Sequence, residues 1–181
     1  GISLGVAVLI IVMSVMNGFR TELINKIVGF NAHAVVKSYN GSISKDSSKV
    51  KNFLQNTVSS IIYSSDGEAI ILNKDSTKGV LLKGYLDNDF KKLEITKNNQ
   101  FYGIKELKEN TISLGKELSF NLNLDIGDSV SLMSPSGVQT IVGTLPKSQI
   151  FKVTSIFDSG LSDFNENVAY INLNSLEIFF E

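Results

Sequence analysis

The chain opens with the uncharged stretch GISLGVAVLIIVMSVMNGF, residues 1–19, and Arg20 is its first ionisable side chain. At about 1.5 Å per residue, a helix over these positions would be roughly 28 Å long, close to the hydrocarbon thickness of a bilayer. The stretch is apolar all round, whereas a helix on the surface of a soluble protein has a polar stripe. It therefore predicts a transmembrane helix. Because the first residue is Gly1 rather than Met, we expect the chain to be a piece of a longer protein.

Two other interpretations of residues 1–19 are weaker. A signal peptide would have a basic region before its apolar segment and a small-residue cleavage site after it, and residues 17–20 are Asn-Gly-Phe-Arg instead. A helix buried in the core of a soluble protein is the other alternative, and the length of the apolar run makes it less favoured than a transmembrane helix.

The helical pattern continues beyond the apolar stretch. Leu23, Ile27 and Val28 recur at helical spacing with polar residues between them, and Gly29 is a suitable place for the helix to end. We therefore expect residues 1–29 to form the end of a transmembrane helix and a stalk that rises about two to three turns above the lipid.

Beyond Gly29 the sequence alternates between strand-like and helix-like segments. Turn residues such as Ser65-Asp66-Gly67 and 125–128 separate neighbouring segments. The fold class is therefore α+β, with residues 30–181 as a domain in which two small mixed subdomains are suggested to meet near residue 100. We expect strands over residues 32–36, 60–63, 68–72, 80–85, 129–133, 150–157 and 168–173, and helices over 50–54, 90–93, 115–122 and after an N-cap at Asn174 or Ser175.

The sequence lacks the residues on which most active sites depend. Cysteine is absent, and His33, which we interpret as structural, is the only histidine, so thiol chemistry and paired-histidine metal sites are excluded. Neither a phosphate-binding P-loop nor a nucleophile elbow is present. A net charge of −1 gives no basic face for nucleic acid. Asp163 and Glu166 are interpreted as parts of a solvated loop. We expect no catalytic, cofactor-binding or metal-binding residues in this chain.

One loop differs from an ordinary surface loop. No charged residue lies between Asp128 and Lys147, and the only two prolines, Pro135 and Pro146, enclose two glycines. Proline fixes φ and glycine relaxes it, which suits a protruding loop or hairpin with defined ends. Apolar side chains exposed on such a loop would mark a partner site. A hairpin folded back on its own core is an equally good interpretation of the composition.

Several motifs resemble those of lipoprotein-releasing ABC transporter permeases, the LolC/LolE family. The run Ser14-Val15-Met16-Asn17-Gly18-Phe19 resembles the end of the family's first transmembrane helix. Gly127-Asp128, Ser134-Pro135 and the segments 143–146 and 169–173 follow in the family's order, and they resemble the broader MacB-type periplasmic domain as well. The resemblance covers nearly the whole chain and is least distinctive over residues 31–100.

The resemblance implies a MacB-like periplasmic core domain, preceded by a transmembrane and stalk helix. In the family this domain follows the first of four transmembrane helices of a bacterial inner-membrane permease, so most of this chain would be periplasmic. The permease works as a homo- or heterodimer with a cytoplasmic ATPase, LolD, which binds ATP and magnesium. The complex extracts outer-membrane lipoproteins and passes them to a periplasmic chaperone, LolA. LolC-like members recruit the chaperone with a loop called the hook, LolE-like members engage the substrate, and some bacteria have one permease for both roles.

The resemblance also suggests two sets of site residues. Apolar residues on one face of the first helix would line the path of the lipid anchor: Val12, Met16 and Phe19. The hook would fall on the uncharged loop, with Pro135, Gly137, Val138, Ile141, Val142, Gly143, Leu145 and Pro146 as its chaperone-docking residues.

Two alternative functions stay open. The chain could belong to a MacB-type efflux permease or an FtsX-like permease, with the same fold and another substrate or partner. It could also be a membrane-anchored binding module unrelated to transport, which would have no ATPase partner.

Overall fold

The computed structural model describes residues 1–30, 32, 34–37, 52, 54, 57–74, 76–97, 100–135, 138–140 and 143–181. The chain divides into two compact units, residues 1–35 and 36–181. The first unit is helical and the second mixes helices with a sheet.

The first unit is dominated by α1, a helix of 29 residues from Ile2 to Phe30. Its segment Ile2–Ile24 has a mean hydropathy of 2.2 and is long and apolar enough to cross a membrane. The helix ends within one residue of Gly29, as the sequence predicts. The strand predicted for residues 32–36 is wrong for the described part, because residues 32 and 34–37 have irregular backbone.

The second unit contains nine strands and five short helices whose bounds are described, and residues 52 and 54 are helical as well. The strands are β1 (Ser64–Asn73), β2 (Ser76–Tyr85), β3 (Phe101–Gly103), β4 (Thr111–Gly115), β5 (Ser129–Met133), β6 (Val138–Thr140), β7 (Gly143–Leu145), β8 (Ser148–Phe157) and β9 (Val168–Asn172). The helices are α2 (Asp87–Phe90), α3 (Glu94–Lys97), α4 (Lys116–Leu122), α5 (Ser162–Asn167) and α6 (Leu173–Phe180).

Seven of these strands form one sheet in the order β3-β8-β4-β9-β2-β1-β5, and β5 also pairs with β8. The last pairing closes the sheet into a ring of six strands, with β3 added on the outside of β8. Within the sheet, β2–β9 and β4–β8 are parallel, and the other pairs are antiparallel. Residue 100 lies between β2 and β3 in the chain, and both strands belong to this one sheet. The two subdomains that the sequence suggests would therefore share a single sheet.

A β-bulge in β8 separates two cores. Ile112 pairs with Val153 and Ser113 pairs with Ser155, which leaves Thr154 as the extra residue of β8. A single extra residue moves the following side chains to the opposite face of a strand. Val153 therefore belongs to the main hydrophobic core inside the ring, while Phe157 packs against Tyr170, with 4.9 Å between ring centroids. Outside the ring an aromatic core forms around Tyr85, Phe90, Phe101, Phe157, Phe164 and Tyr170.

Several predicted elements are confirmed, and others differ. The strands over 129–133, 150–157, 168–173, 68–72 and 80–85 and the helix over 115–122 are present. Residues 60–63 are irregular, and Ser65-Asp66-Gly67 lie inside β1 rather than in a turn. The N-cap of α6 is Asn172, whose side chain accepts the Asn174 amide proton, rather than Asn174 or Ser175. Of the helix predicted around 50–54, residues 52 and 54 are described and helical, whereas His33 lies outside the described residues.

Candidate functional site

The uncharged loop forms a β-hairpin. Strands β6 and β7 make a separate two-stranded antiparallel sheet, in which Val138 pairs with Leu145 and Thr140 pairs with Gly143. The hairpin connects β5 to β8, and these strands pair up to Met133 and Ser148. We call this segment, from Pro135 to Pro146, the arm. This confirms the predicted hairpin and its place between Pro135 and Pro146.

The arm has a joint at its base. The β5–β8 ladder continues with a hydrogen bond from the Ser134 amide to the Lys147 carbonyl, 2.9 Å long. The next pair is Val138 with Leu145, so three sequence positions separate the two pairs on one strand and a single position, Pro146, separates them on the other. Proline has no amide proton to give to a ladder. The two ladders are therefore out of register, and the joint separates the hairpin from the ring.

The predicted docking residues are distributed along this arm. Pro135 and Pro146 are exposed at the joint. Val138, Gly143 and Leu145 lie on the paired strands of the hairpin, and Gly137, Ile141 and Val142 lie outside the described residues. A groove borders the joint, lined by Pro135 together with Glu68, Ala69, Ile70, Gly79, Val80, Leu81 and Asn167.

The predicted lipid-path residues lie on one face of α1. Val12, Met16 and Phe19 are four and three positions apart, which places them on the same side of a helix. Their side chains are 50%, 68% and 68% exposed, and none of the apolar segment of α1 is buried in the structure. The helix therefore presents an apolar surface that is suited to lipid or to other apolar chains.

The predicted acidic loop is a helix, and its polar groups are bonded to the domain. Glu166 of α5 forms an ion pair with Lys78 and accepts a hydrogen bond of 3.3 Å from Asn121. The Asn165 side chain is fully buried; it accepts the Ser159 amide proton and donates to Asp158, at 2.8 and 2.9 Å. These contacts hold the chain reversal after β8, and they have a structural role.

The Asp158 carboxylate is the centre of this network. It accepts hydrogen bonds from the Gly160 amide at 2.9 Å and from the Lys116 ammonium group at 3.0 Å, besides Asn165. Burial by itself raises the pKa of Asp158, but these three donors outweigh it, and the pKa lies below its usual value. The hydrogen bond to Asp158 raises the pKa of Lys116. The carboxylate is therefore ionised and fully engaged near neutral pH.

Titratable groups in and beside the aromatic core have shifted pKa values. Burial raises the pKa of Tyr170, and the neighbouring Tyr85 adds to the shift. Burial also lowers the pKa of Lys83, with the Asp66 carboxylate opposing it, and the Lys83 ammonium group lies 5.6 Å from the centre of the Phe164 ring. Among the described residues, no group of three or more acidic or histidine side chains could hold a metal ion.

Comparison with known proteins places the whole chain in one family. The family model of the MacB-like periplasmic core domain matches residues 1–181. The lipoprotein-releasing system transmembrane protein LolC of Xylella fastidiosa is 29% identical over 181 residues, which are 98% of this chain and 44% of that protein. The proteins of the same name from Neisseria meningitidis and Haemophilus influenzae are 26% and 27% identical, over 99% and 97% of this chain and 44% of each relative.

The chain thus spans less than half the length of the curated relatives it matches. Among solved structures, the extracellular domain of YknZ, a noncanonical ABC-type transporter from Gram-positive bacteria, aligns with a TM-score of 0.45 and 12% identity over 73% of this chain and 65% of that one.

Proposed function

The chain belongs to the MacB-like periplasmic core domain family, and on that premise we propose that it is part of a permease subunit of an ABC transporter that extracts lipoproteins from the bacterial inner membrane. The observation that carries the proposal is the joining of two features in one chain: an apolar helix of membrane-spanning length and a domain that aligns with LolC proteins over nearly its whole length. The permease would cross the inner membrane several times, with residues 30–181 in the periplasm.

Extraction of a lipid anchor needs external work. Each buried CH₂ group holds an acyl chain in the bilayer by about 0.8 kcal/mol, so a triacylated anchor does not leave unaided. This chain offers no nucleotide-binding loop, and in the proposal a separate cytoplasmic ATPase, LolD, binds ATP and magnesium and supplies the work. Two permease subunits would enclose the anchor, with the face of α1 that carries Val12, Met16 and Phe19 turned toward it.

The proposed role of the hairpin β6–β7 is to dock the periplasmic chaperone LolA. Three features support this role: the segment is uncharged between Asp128 and Lys147, it forms a two-stranded sheet separate from the ring, and a joint with a proline on each strand separates it from the ring. An uncharged two-stranded hairpin can offer edge strands and apolar side chains to a partner.

The test is capture of purified LolA by the parent membrane protein in lipid nanodiscs. We expect LolA to be retained by the wild-type permease and lost when residues 138–145 are replaced by a Gly-Ser linker. Capture that does not depend on the hairpin would contradict the docking role. No capture at all, together with transport of a drug or peptide, would favour a MacB-type efflux permease instead. Absence of an ATPase partner would favour a membrane-anchored binding module.

A further inference from the structure

A groove lies on the outer face of β1 and β2, beside the joint of the arm. Its volume is about 330 Å³, at the lower end of the range for ligand pockets. Across the two strands Glu68 pairs with Leu81 and Ile70 pairs with Gly79, so these four positions share one face of the sheet. Ala69, between them in sequence, belongs to the core on the opposite face. The groove is therefore built by alternate residues of two neighbouring strands.

Gly79 gives the groove its depth. A Cβ atom at this position would have nothing within 4 Å, so the strand leaves open space opposite Ile70. The half-buried side chains of Ile70 and Leu81 supply apolar surface, and Pro135 lines the same groove. Because Pro135 is also the first residue of the arm, the apolar surface of the groove is continuous with the base of the arm.

The polar side chains of the groove offer hydrogen-bond acceptors. The Glu68 carboxylate is exposed, lies opposite an apolar residue and, within the described part of the chain, forms no ion pair or hydrogen bond. By contrast Asp66, its neighbour on the same face, lies opposite Lys83. The Asn167 side chain donates to the Asp163 carbonyl at 2.8 Å, and its own carbonyl oxygen stays available. This arrangement complements a ligand that joins a positive charge to an apolar group.

We propose that the groove is a second docking surface for the partner that binds the arm, and that it receives an apolar side chain next to a lysine or arginine. The apolar side chain fills the space over Gly79, and the basic group pairs with Glu68. Two contacts, one on the arm and one at its base, fix the orientation of the partner. This inference rests on the proposed function, in which that partner is LolA.

The first test measures the affinity of LolA for the parent membrane protein in lipid nanodiscs. Gly79→Phe fills the groove and should weaken binding by at least about tenfold. Glu68→Lys sets a like charge against the basic group and should weaken binding by a similar factor. Glu68→Gln loses only the attraction and should weaken it about two- to fivefold. The matched control is Glu109→Lys, which reverses an exposed carboxylate outside the groove and should leave binding unchanged.

The outcomes separate this inference from the proposed function. If LolA binding depends on the arm but is unchanged in Gly79→Phe and Glu68→Lys, the groove has no docking role. Equal weakening by Glu68→Lys and Glu109→Lys would also refute the groove, because it would be a general effect of charge. If the wild type does not bind LolA at all, the proposed function fails, and the occupant assigned to the groove fails with it. Glu68→Lys keeps the test valid if Gly79→Phe does not fold, because it adds no bulk over Gly79.

The second test identifies the segment that enters the groove. Residues 1–181 contain no cysteine. Once any cysteine outside them is replaced by serine, Thr77→Cys places a single thiol two residues from Gly79 on the same strand. A benzophenone maleimide on this thiol should cross-link to a LolA segment that has an apolar residue beside a lysine or arginine. The same label at Glu109→Cys should give no cross-link to LolA. A cross-link to a segment without a basic residue, or to a second permease subunit, would overturn the assigned occupant.

Discussion

Gly115 and the backbone of Asn165 lie so close together that a side chain at Gly115 has no space. A Cβ atom built on Gly115 would be 2.6 Å from both the Cα and the carbonyl carbon of Asn165. Gly115 is the last residue of β4 and the N-cap of α4, and Asn165 belongs to α5. The approach therefore joins a strand of the ring to two helices at one point.

We predict that Gly115→Ala destabilises residues 36–181 by about 1–3 kcal/mol, because the backbone of α5 must move to admit the methyl group. The measurement is urea unfolding of this unit expressed alone. Gly79→Ala is the control: it adds the same methyl group to a strand position where nothing lies within 4 Å. Equal unfolding midpoints for the two variants would show that the close approach of Gly115 to Asn165 does not affect stability.

The Asp158 network predicts a pH dependence of stability. The pKa of Asp158 is lower in the folded protein than its ordinary value of 3.8. The ionised Asp158 carboxylate therefore contributes fully to the free energy of unfolding above that value, and this contribution is lost as the pH falls through the folded-state pKa. We expect the difference in unfolding free energy between wild type and Asp158→Asn to be constant above about pH 5 and to shrink below about pH 4. Urea titrations across this range measure it.

A second variant checks the cause of this dependence. Lys116→Met removes one of the three donors to Asp158 and should reproduce part of the loss, with the pH dependence retained but smaller. If the difference between wild type and Asp158→Asn stays the same down to pH 3, the carboxylate does not have the lowered pKa that its three donors give it.

The assignment of the lipid path to one face of α1 predicts that the same substitution has different effects on the two faces of the helix. We expect Met16→Asp to lower the release of lipoproteins from membrane vesicles by at least about tenfold, because a carboxylate on the path repels acyl chains. Ser14→Asp is the control, since two residues turn a helix by about 200° and the same charge then lies on the opposite face at nearly the same depth. Both variants must be found in the membrane fraction. Similar release by the two would contradict the assigned face.

The docking role predicts that the hairpin and the ring respond differently to the same substitution. Leu145→Asp should weaken LolA capture by at least about tenfold, as truncation of a central contact does. Ile150→Asp is the control on β8 below the joint, where Ile150 is exposed, and it should leave capture unchanged. Loss of capture in Ile150→Asp alone would move the docking site from the hairpin to the ring.

The sequence predicted the local elements better than their assembly. The strand Ser129–Met133 and the uncharged hairpin are visible because their signals are short-range: alternation, and two prolines around two glycines. The pairing of β5 with β1 in the ring joins residues about 60 positions apart in sequence, and no local pattern encodes it. The bulge at Thr154 could not be predicted for the same reason, since it is defined only by the pairing of β8 with β4.

The errors in the candidate regions also have physical causes. Ser65-Asp66-Gly67 has the composition of a turn, but Gly67 lies beneath the ring of Phe180, and Asp66 pairs across the strands with Lys83. The helix α5 has six residues, too few to show a helical period, and its defining contact is that of Asn165 with Gly115. Tertiary contacts therefore determine the secondary structure of both segments, although the local sequence favours a turn or loop in each.

The pairing of β8 with neighbours along both of its edges has a mechanical consequence. β5 pairs with its first half and β3 with its end along one edge, while β4 pairs with its second half along the other edge. A pulling force applied to the arm acts along β8. The hydrogen bonds between β8 and its neighbours therefore share the load, rather than breaking one at a time. The domain should therefore behave as a stiff lever that yields at the proline joint before the ring deforms.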